Sequence, residues 1–244
     1  MPPIAPREAA RRLTHAGVGL GALLLRWISW PAALGCCVAG IVLNHAILPR
    51  TTPGLFRPGE SRFTGIRAYP IAVLLLVILF PMRTAAGAWA ILAFGDAAAA
   101  LFGRAWGKAK LPWNRDKSWI GMLAFVAAAT IGGTLVYAFV ETRTDRTVGL
   151  FGEIHALLGK RPWLDWVNGH FWFWSDGGDY LAGPTSFAYG LRRDVWLAVA
   201  LASAAAAFVE TIRMRLDDNF RIALAAGLVL LALDPFVVGA QRSY

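Results

Sequence analysis

Long apolar runs separated by short polar punctuation organise this chain. Arg7, Arg11 and Arg12 precede a glycine-rich apolar run from Ala16 to Leu25, which Arg26 and the aromatic residues Trp27 and Trp30 interrupt. About 10 apolar residues cannot cross a hydrocarbon core of about 30 Å as a helix. The segment is therefore re-entrant or recruits its flanks, and the expected element is a helix from about Ala9 to Ile28 with snorkelling arginines. Pro31 opens a second span to about Leu48. Pro49 to Arg67, rich in Pro, Gly and Arg, reads as an interfacial connection. Ala68 to Phe80 and Ala85 to Phe102 form a hairpin punctuated by Pro81 and Arg83, and Trp119 to Val140 is a clear span. Val195 to Ile212 and Phe220 to Gly239 complete the set. The expected fold class is all-α, a polytopic transmembrane helix bundle of about seven spans, forming a single integral membrane domain over residues 1–244.

Residues 141–192 break the pattern. Trp163, Trp166, Phe171, Trp172, Phe173, Trp174 and Tyr180 alternate there with Asp165, Asp176 and Asp179. Half-polar aromatic sequence of this kind belongs at the headgroup level, so an extracytoplasmic, interfacial insertion of short helices and loops is expected.

Composition agrees with a membrane protein: 57% of the 244 residues are apolar and 16% charged, against about 25% charged in an average soluble domain. A net charge of +9 points to nucleic acid in a soluble chain. Here the basic residues cluster in short loops, so membrane orientation accounts for them first and no nucleic-acid partner is expected. With the N-terminus in the cytoplasm, the cytoplasmic segments hold Arg7, Arg11, Arg12, Arg50, Arg57, Arg62, Arg67, Arg104, Lys108, Lys110, Arg115, Lys117, Arg213, Arg215 and Arg221. That bias supports a multi-pass protein of the cell (inner) membrane with basic cytoplasmic loops and a retained first span. Cys36 and Cys37 are sequence neighbours in an apolar run, where packing is the expected role.

Two polar clusters fall on the same side of this topology. The stretch Gly95 to Gly121, GDAAAALFGRAWGKAKLPWNRDKSWIG, begins with Asp96 inside an apolar run and ends in a loop carrying Arg104, Lys108, Lys110, Arg115 and Lys117. A carboxylate near mid-bilayer costs about 2.5–3.5 kcal/mol, which calls for a metal ion, a base or water as partner. The cations suit a polyanion such as a nucleoside triphosphate. The second cluster runs from Val209 through Glu210 to Asp217, Asp218 and Asn219. Asp217 and Asp218 either cap the following helix or join Asp96 and Glu210 as oxygen ligands of Mg²⁺, which takes one or two carboxylates with phosphate oxygens and water.

The pattern Gly95, Asp96, Ala99, Gly103, Gly107, Lys108, Lys110, Leu111, Pro112, Trp113, Asn114, Lys117, Ser118, Gly121, followed by Glu210 and Asp217, Asp218, Asn219, resembles the polyprenol kinase family. That group comprises phytol, farnesol and dolichol kinases and CTP-dependent diacylglycerol kinases. Arg11, Arg12 and His15 resemble the family's early basic pair and histidine. The resemblance covers most of the chain outside the insertion. It implies transfer of the γ-phosphoryl group of CTP, or a related nucleotide, to a membrane-dissolved lipid alcohol, with Mg²⁺ as cofactor. Lys108, Lys110 and Lys117 would hold the phosphates, with Arg104 as a further clamp, and Asn114 and Ser118 would belong to the nucleotide site. Asp96 and Glu210 would serve the metal or the acceptor hydroxyl. His15 is either an acid, base or phosphate donor or an interfacial side chain. Gly103 and Gly107 either let backbone approach the nucleotide or let helices pack closely, and a spacing of four by itself favours packing.

Two other classes remain in view. The GD…G…GK…K…P…KS…G pattern also resembles phosphatidate cytidylyltransferases, although their C-terminal HGG and Asp-Arg signature is missing here. An intramembrane carboxylate also suits an ion-coupled transporter, a reading that the clustered lysines beside Asp96 oppose.

Overall fold

The computed structural model describes residues 14–52, 65–141, 191 and 193–239. Seven helices lie among them. α1 covers residues 14–26 and tightens into a 3-10 segment at Leu20–Arg26. α2 is Trp30–Thr51, α3 Ala68–Leu79, α4 Met82–Trp106, α5 Trp119–Glu141, α6 Arg193–Thr211 and α7 Asp218–Gly239. Four of them, α2, α4, α5 and α6, are long and apolar enough to cross a membrane. α3 has 12 residues, about 18 Å at 1.5 Å per residue, short of a full crossing. The fold is thus an all-α membrane bundle, as expected. The insertion at 142–190, and with it the expectation of interfacial helices, lies outside the described residues, as do Arg11 and Arg12.

Local chemistry accounts for the boundaries. Ser29 caps α2, its hydroxyl accepting from the Ala32 amide at 3.4 Å, and Pro31 occupies the first turn. Pro49 lacks an N–H, and its ring crowds the carbonyl four residues earlier. The helix ahead of it widens into a π turn at Leu43–Ile47. Pro81 precedes α4, which runs beyond its expected bounds at both ends, so that Arg83 is helical and Arg104 lies in the last turn rather than in the loop. A cation there suits the negative end of the helix dipole.

α4 is the hub, touching α1, α3, α5, α6 and α7, while α2 packs chiefly on α3 at the periphery. Small residues allow this. A Cβ on Gly95 would stand 2.6 Å from the Phe125 ring of α5, so that ring lies directly on the α4 backbone beside Asp96.

Long-range contacts sort the loops to two ends. At one end Arg26 donates to the Phe139 carbonyl at 2.5 Å and stacks on the Phe139 ring, and Trp30 Nε1 donates to the Val77 carbonyl at 2.9 Å. At the other end residues 65, 106–119 and 211–218 meet. The basic loop and the acidic turn, placed on one side by the charge argument, do share one end of the bundle.

Candidate active site

The loop between α4 and α5 is held as a narrow hairpin. Leu111 N donates to the Lys117 carbonyl and Trp119 N to the Ala109 carbonyl, each at 3.1 Å, and Lys110 pairs with Ser118. Leu111 turns inward and is fully buried. Ser118 caps α5, its hydroxyl accepting from the Gly121 amide at 3.2 Å. The same hydroxyl lies 3.3 Å from the Cβ position of Gly103 and 2.3 Å from that of Gly107. Gly103 and Gly107 therefore serve the close approach of α4 to the start of α5, in agreement with their spacing.

Asn114 ties this hairpin to the end of α6. Its Nδ2 donates to the Thr211 carbonyl at 2.8 Å, and its Oδ1 accepts from Asp116 N and from Arg213 Nε. Trp113 Nε1 donates to Thr211 Oγ1 at 3.0 Å, and its ring meets Trp119 edge-on at 5.6 Å. Asn114 and Ser118, expected at the nucleotide, thus have polar partners within the protein.

So placed, Lys117 reaches across the bundle. Its ammonium donates to Glu210 Oε1 and lies 3.7 Å from Asp218 Oδ2. Glu210, at 4% side-chain exposure, is far more buried than Lys117 at 31%. Burial acts to lower the Lys117 pKa, and the Glu210 carboxylate, its hydrogen bond, and then Asp218 and Asp96 outweigh it. The ammonium is held above its ordinary value. Asp96, just past the middle of α4, is within electrostatic reach of the same lysine.

Arg221, which sequence reasoning assigned only to orientation, is 6% exposed. It donates to the Val209 carbonyl at 2.9 Å, to the Ile212 carbonyl and to Asp218 Oδ1. It closes the C-terminal end of α6, whose last carbonyls lack helical partners, and fixes Asp218 beside Glu210. Its spacing of three from Asp218 was a readable signal.

Asp217 caps α7. Its Oδ1 accepts from Asn219 N and Nδ2, and its Oδ2 from Gly65 N at 2.9 Å. Asn219 also donates to the Gly65 carbonyl, and Gly65 has a φ of 60°, the left-handed region that glycine adopts without strain. Both Asp217 oxygens are engaged by protein donors. Among the described residues no three His, Cys, Asp or Glu side chains assemble as a metal-binding group. Lys108, Lys110 and Arg115 are exposed on the hairpin, with Arg104 exposed at the end of α4.

His15 lies in α1, which packs on α4. Its ring meets Tyr69 edge-on at 4.0 Å, and Tyr69 Oη accepts from Trp89 Nε1 at 2.7 Å. Tyr69 was hidden in an apolar run and was not singled out.

No family model and no solved structure matches the chain. "Phytol kinase" of Synechocystis sp. is 33% identical over 136 residues, which span 52% of this chain and 57% of that protein. "Probable phytol kinase 1, chloroplastic" of Oryza sativa subsp. japonica is 31% identical over 83 residues, spanning 33% of this chain and 26% of that protein. The matches thus span about half the length of the first relative and about a quarter of the second. This partial identity to proteins named phytol kinases agrees with the resemblance to the polyprenol kinase family carried by the motifs.

Proposed function

We propose that the chain is a lipid-alcohol kinase. It transfers the γ-phosphoryl group of CTP, or a related nucleotide, to the hydroxyl of a membrane isoprenoid alcohol or diacylglycerol at the cytoplasmic face. The observation that carries this reading is the placement of Lys117 between Glu210 and Asp218, with Asp96 in reach. Phosphoryl transfer asks a protein chiefly to position reactants and neutralise charge.

The lysine ammonium stands where a cation between two carboxylates would stand, so Glu210 and Asp218 fit Mg²⁺ as the pair of carboxylates it takes beside phosphate oxygens and water. Bound there, Mg²⁺ would neutralise charge on the phosphates. Lys117 would turn to the phosphate oxygens, joined by the exposed Lys108, Lys110 and Arg104. Asp96, deeper in the bundle, would accept the proton of the attacking hydroxyl. The phytol kinase names of the relatives favour an isoprenoid acceptor.

The test is incubation of purified protein in detergent with Mg²⁺, γ-labelled nucleotides and a panel of lipid alcohols, with products identified by mass. A phosphorylated alcohol upholds the reading. Absence of lipid product with every nucleotide overturns it.

A further inference from the structure

The buried phenol of Tyr69 has more hydrogen-bonding capacity than its protein neighbours use. Tyr69 is 6% exposed. Trp89 Nε1 donates to its oxygen, and the His15 ring covers its edge. Its own proton has no acceptor among the described residues. Buried polar groups are nearly always paired, so an idle O–H donor at depth asks for an acceptor oxygen from outside the protein.

Its location says which one. α1 and α4 run antiparallel, and a Cβ on Gly19 would fall 2.2 Å from Ala93 Cβ and 3.8 Å from Tyr69 Oη. One helical turn toward the Lys117 end, His15 comes level with residues 96 and 97. The Asp96 carboxylate is within electrostatic reach of the phenol. Asp96 is therefore within electrostatic reach both of Lys117, in the ionic cluster, and of Tyr69, against which His15 packs.

We propose that Tyr69 seats the acceptor alcohol, its phenol O–H donating to the alcohol oxygen while Asp96 faces the alcohol proton. The proposal rests on the lipid-alcohol kinase reading and deepens it. In the transfer, the alcohol oxygen bonds to the γ-phosphorus as the bond from that phosphorus to the bridging oxygen breaks. The alcohol proton passes to the Asp96 carboxylate, and the nucleoside diphosphate leaves. Tyr69 occupies one lone pair of the alcohol oxygen and leaves the other directed at phosphorus.

The test needs no turnover. Phytol and the corresponding hydrocarbon lacking the hydroxyl compete for the purified chain in detergent without nucleotide. The unmodified chain prefers the alcohol, and Tyr69→Phe lowers that preference by about tenfold, the size of one hydrogen bond, leaving the part that Asp96 supplies. Trp89→Phe, which keeps the phenol proton, retains the preference. A preference undiminished in Tyr69→Phe, one that disappears in Trp89→Phe or one absent from the unmodified chain overturns the proposal. A preference that falls about tenfold with loss of the phenol in a chain that phosphorylates nothing upholds the alcohol seat and overturns the kinase.

Discussion

Lys117 donates to Glu210 across 93 positions of sequence, from a surface hairpin into the buried end of α6. That pair holds the basic and acidic halves of the candidate site together. Lys117→Met leaves Glu210 buried without its cation, which costs about 3 kcal/mol. Lys117→Met combined with Glu210→Leu recovers most of that loss, because a buried pair is replaced by apolar side chains. Thermal unfolding in detergent measures both, and equal destabilisation by the single and double variants would contradict the pairing.

The pH dependence of the Lys117 contribution has a defined sign. An ordinary lysine titrates near about 10.4, and Lys117 is held above its ordinary value in the folded chain. Its stabilisation is fully present below the unfolded-state value and is lost as pH rises through the folded one. The part of the stability that the Lys117 charge contributes is therefore present at neutral pH and falls only above about pH 10. Chemical denaturation across that range provides the check.

Packing around the hairpin gives a sharper contrast. Gly107→Ala would set a methyl group 2.1 Å from the Gly103 carbonyl oxygen, whereas nothing lies within 4 Å of a Cβ on Gly35. Gly107→Ala lowers stability by about 1–3 kcal/mol, while Gly35→Ala, in a helix interior, leaves it unchanged or slightly raised. Melting temperatures of the two variants decide this.

Arg221→Met removes the donor to the Val209 and Ile212 carbonyls and releases Asp218. The expected cost is about 2–4 kcal/mol. Arg221→Lys restores charge without the planar fork and recovers less than half of it. Full recovery in the lysine variant would show that charge alone suffices.

The legible part of this architecture was the part written in periodic burial and charge. Apolar runs marked the spans, and loop charge placed Lys117 and Glu210 at one end. Two effects escaped. α4 extends through Arg83 and Arg104 because arginine, though it ends an apolar run, is a good helix former. Tyr69 gave no signal because its importance lies in contacts with His15 and Trp89, far from it in sequence. The role of Asp217 was readable only as a pair of alternatives, since one aspartate can cap a helix or hold a metal, and its partners decide which oxygens are engaged.

The central claim is phosphoryl transfer at the place where Asp96 meets the Lys117–Glu210 pair, and the most direct measurement compares γ-labelled with α-labelled CTP in the presence of Mg²⁺ and phytol. Label reaches the lipid from the γ position only, and Asp96→Asn lowers the rate by about 10²–10⁴-fold, the usual range for a lost acid–base group. Lipid labelled from the α position with release of pyrophosphate, or γ transfer undiminished in Asp96→Asn, would contradict the account.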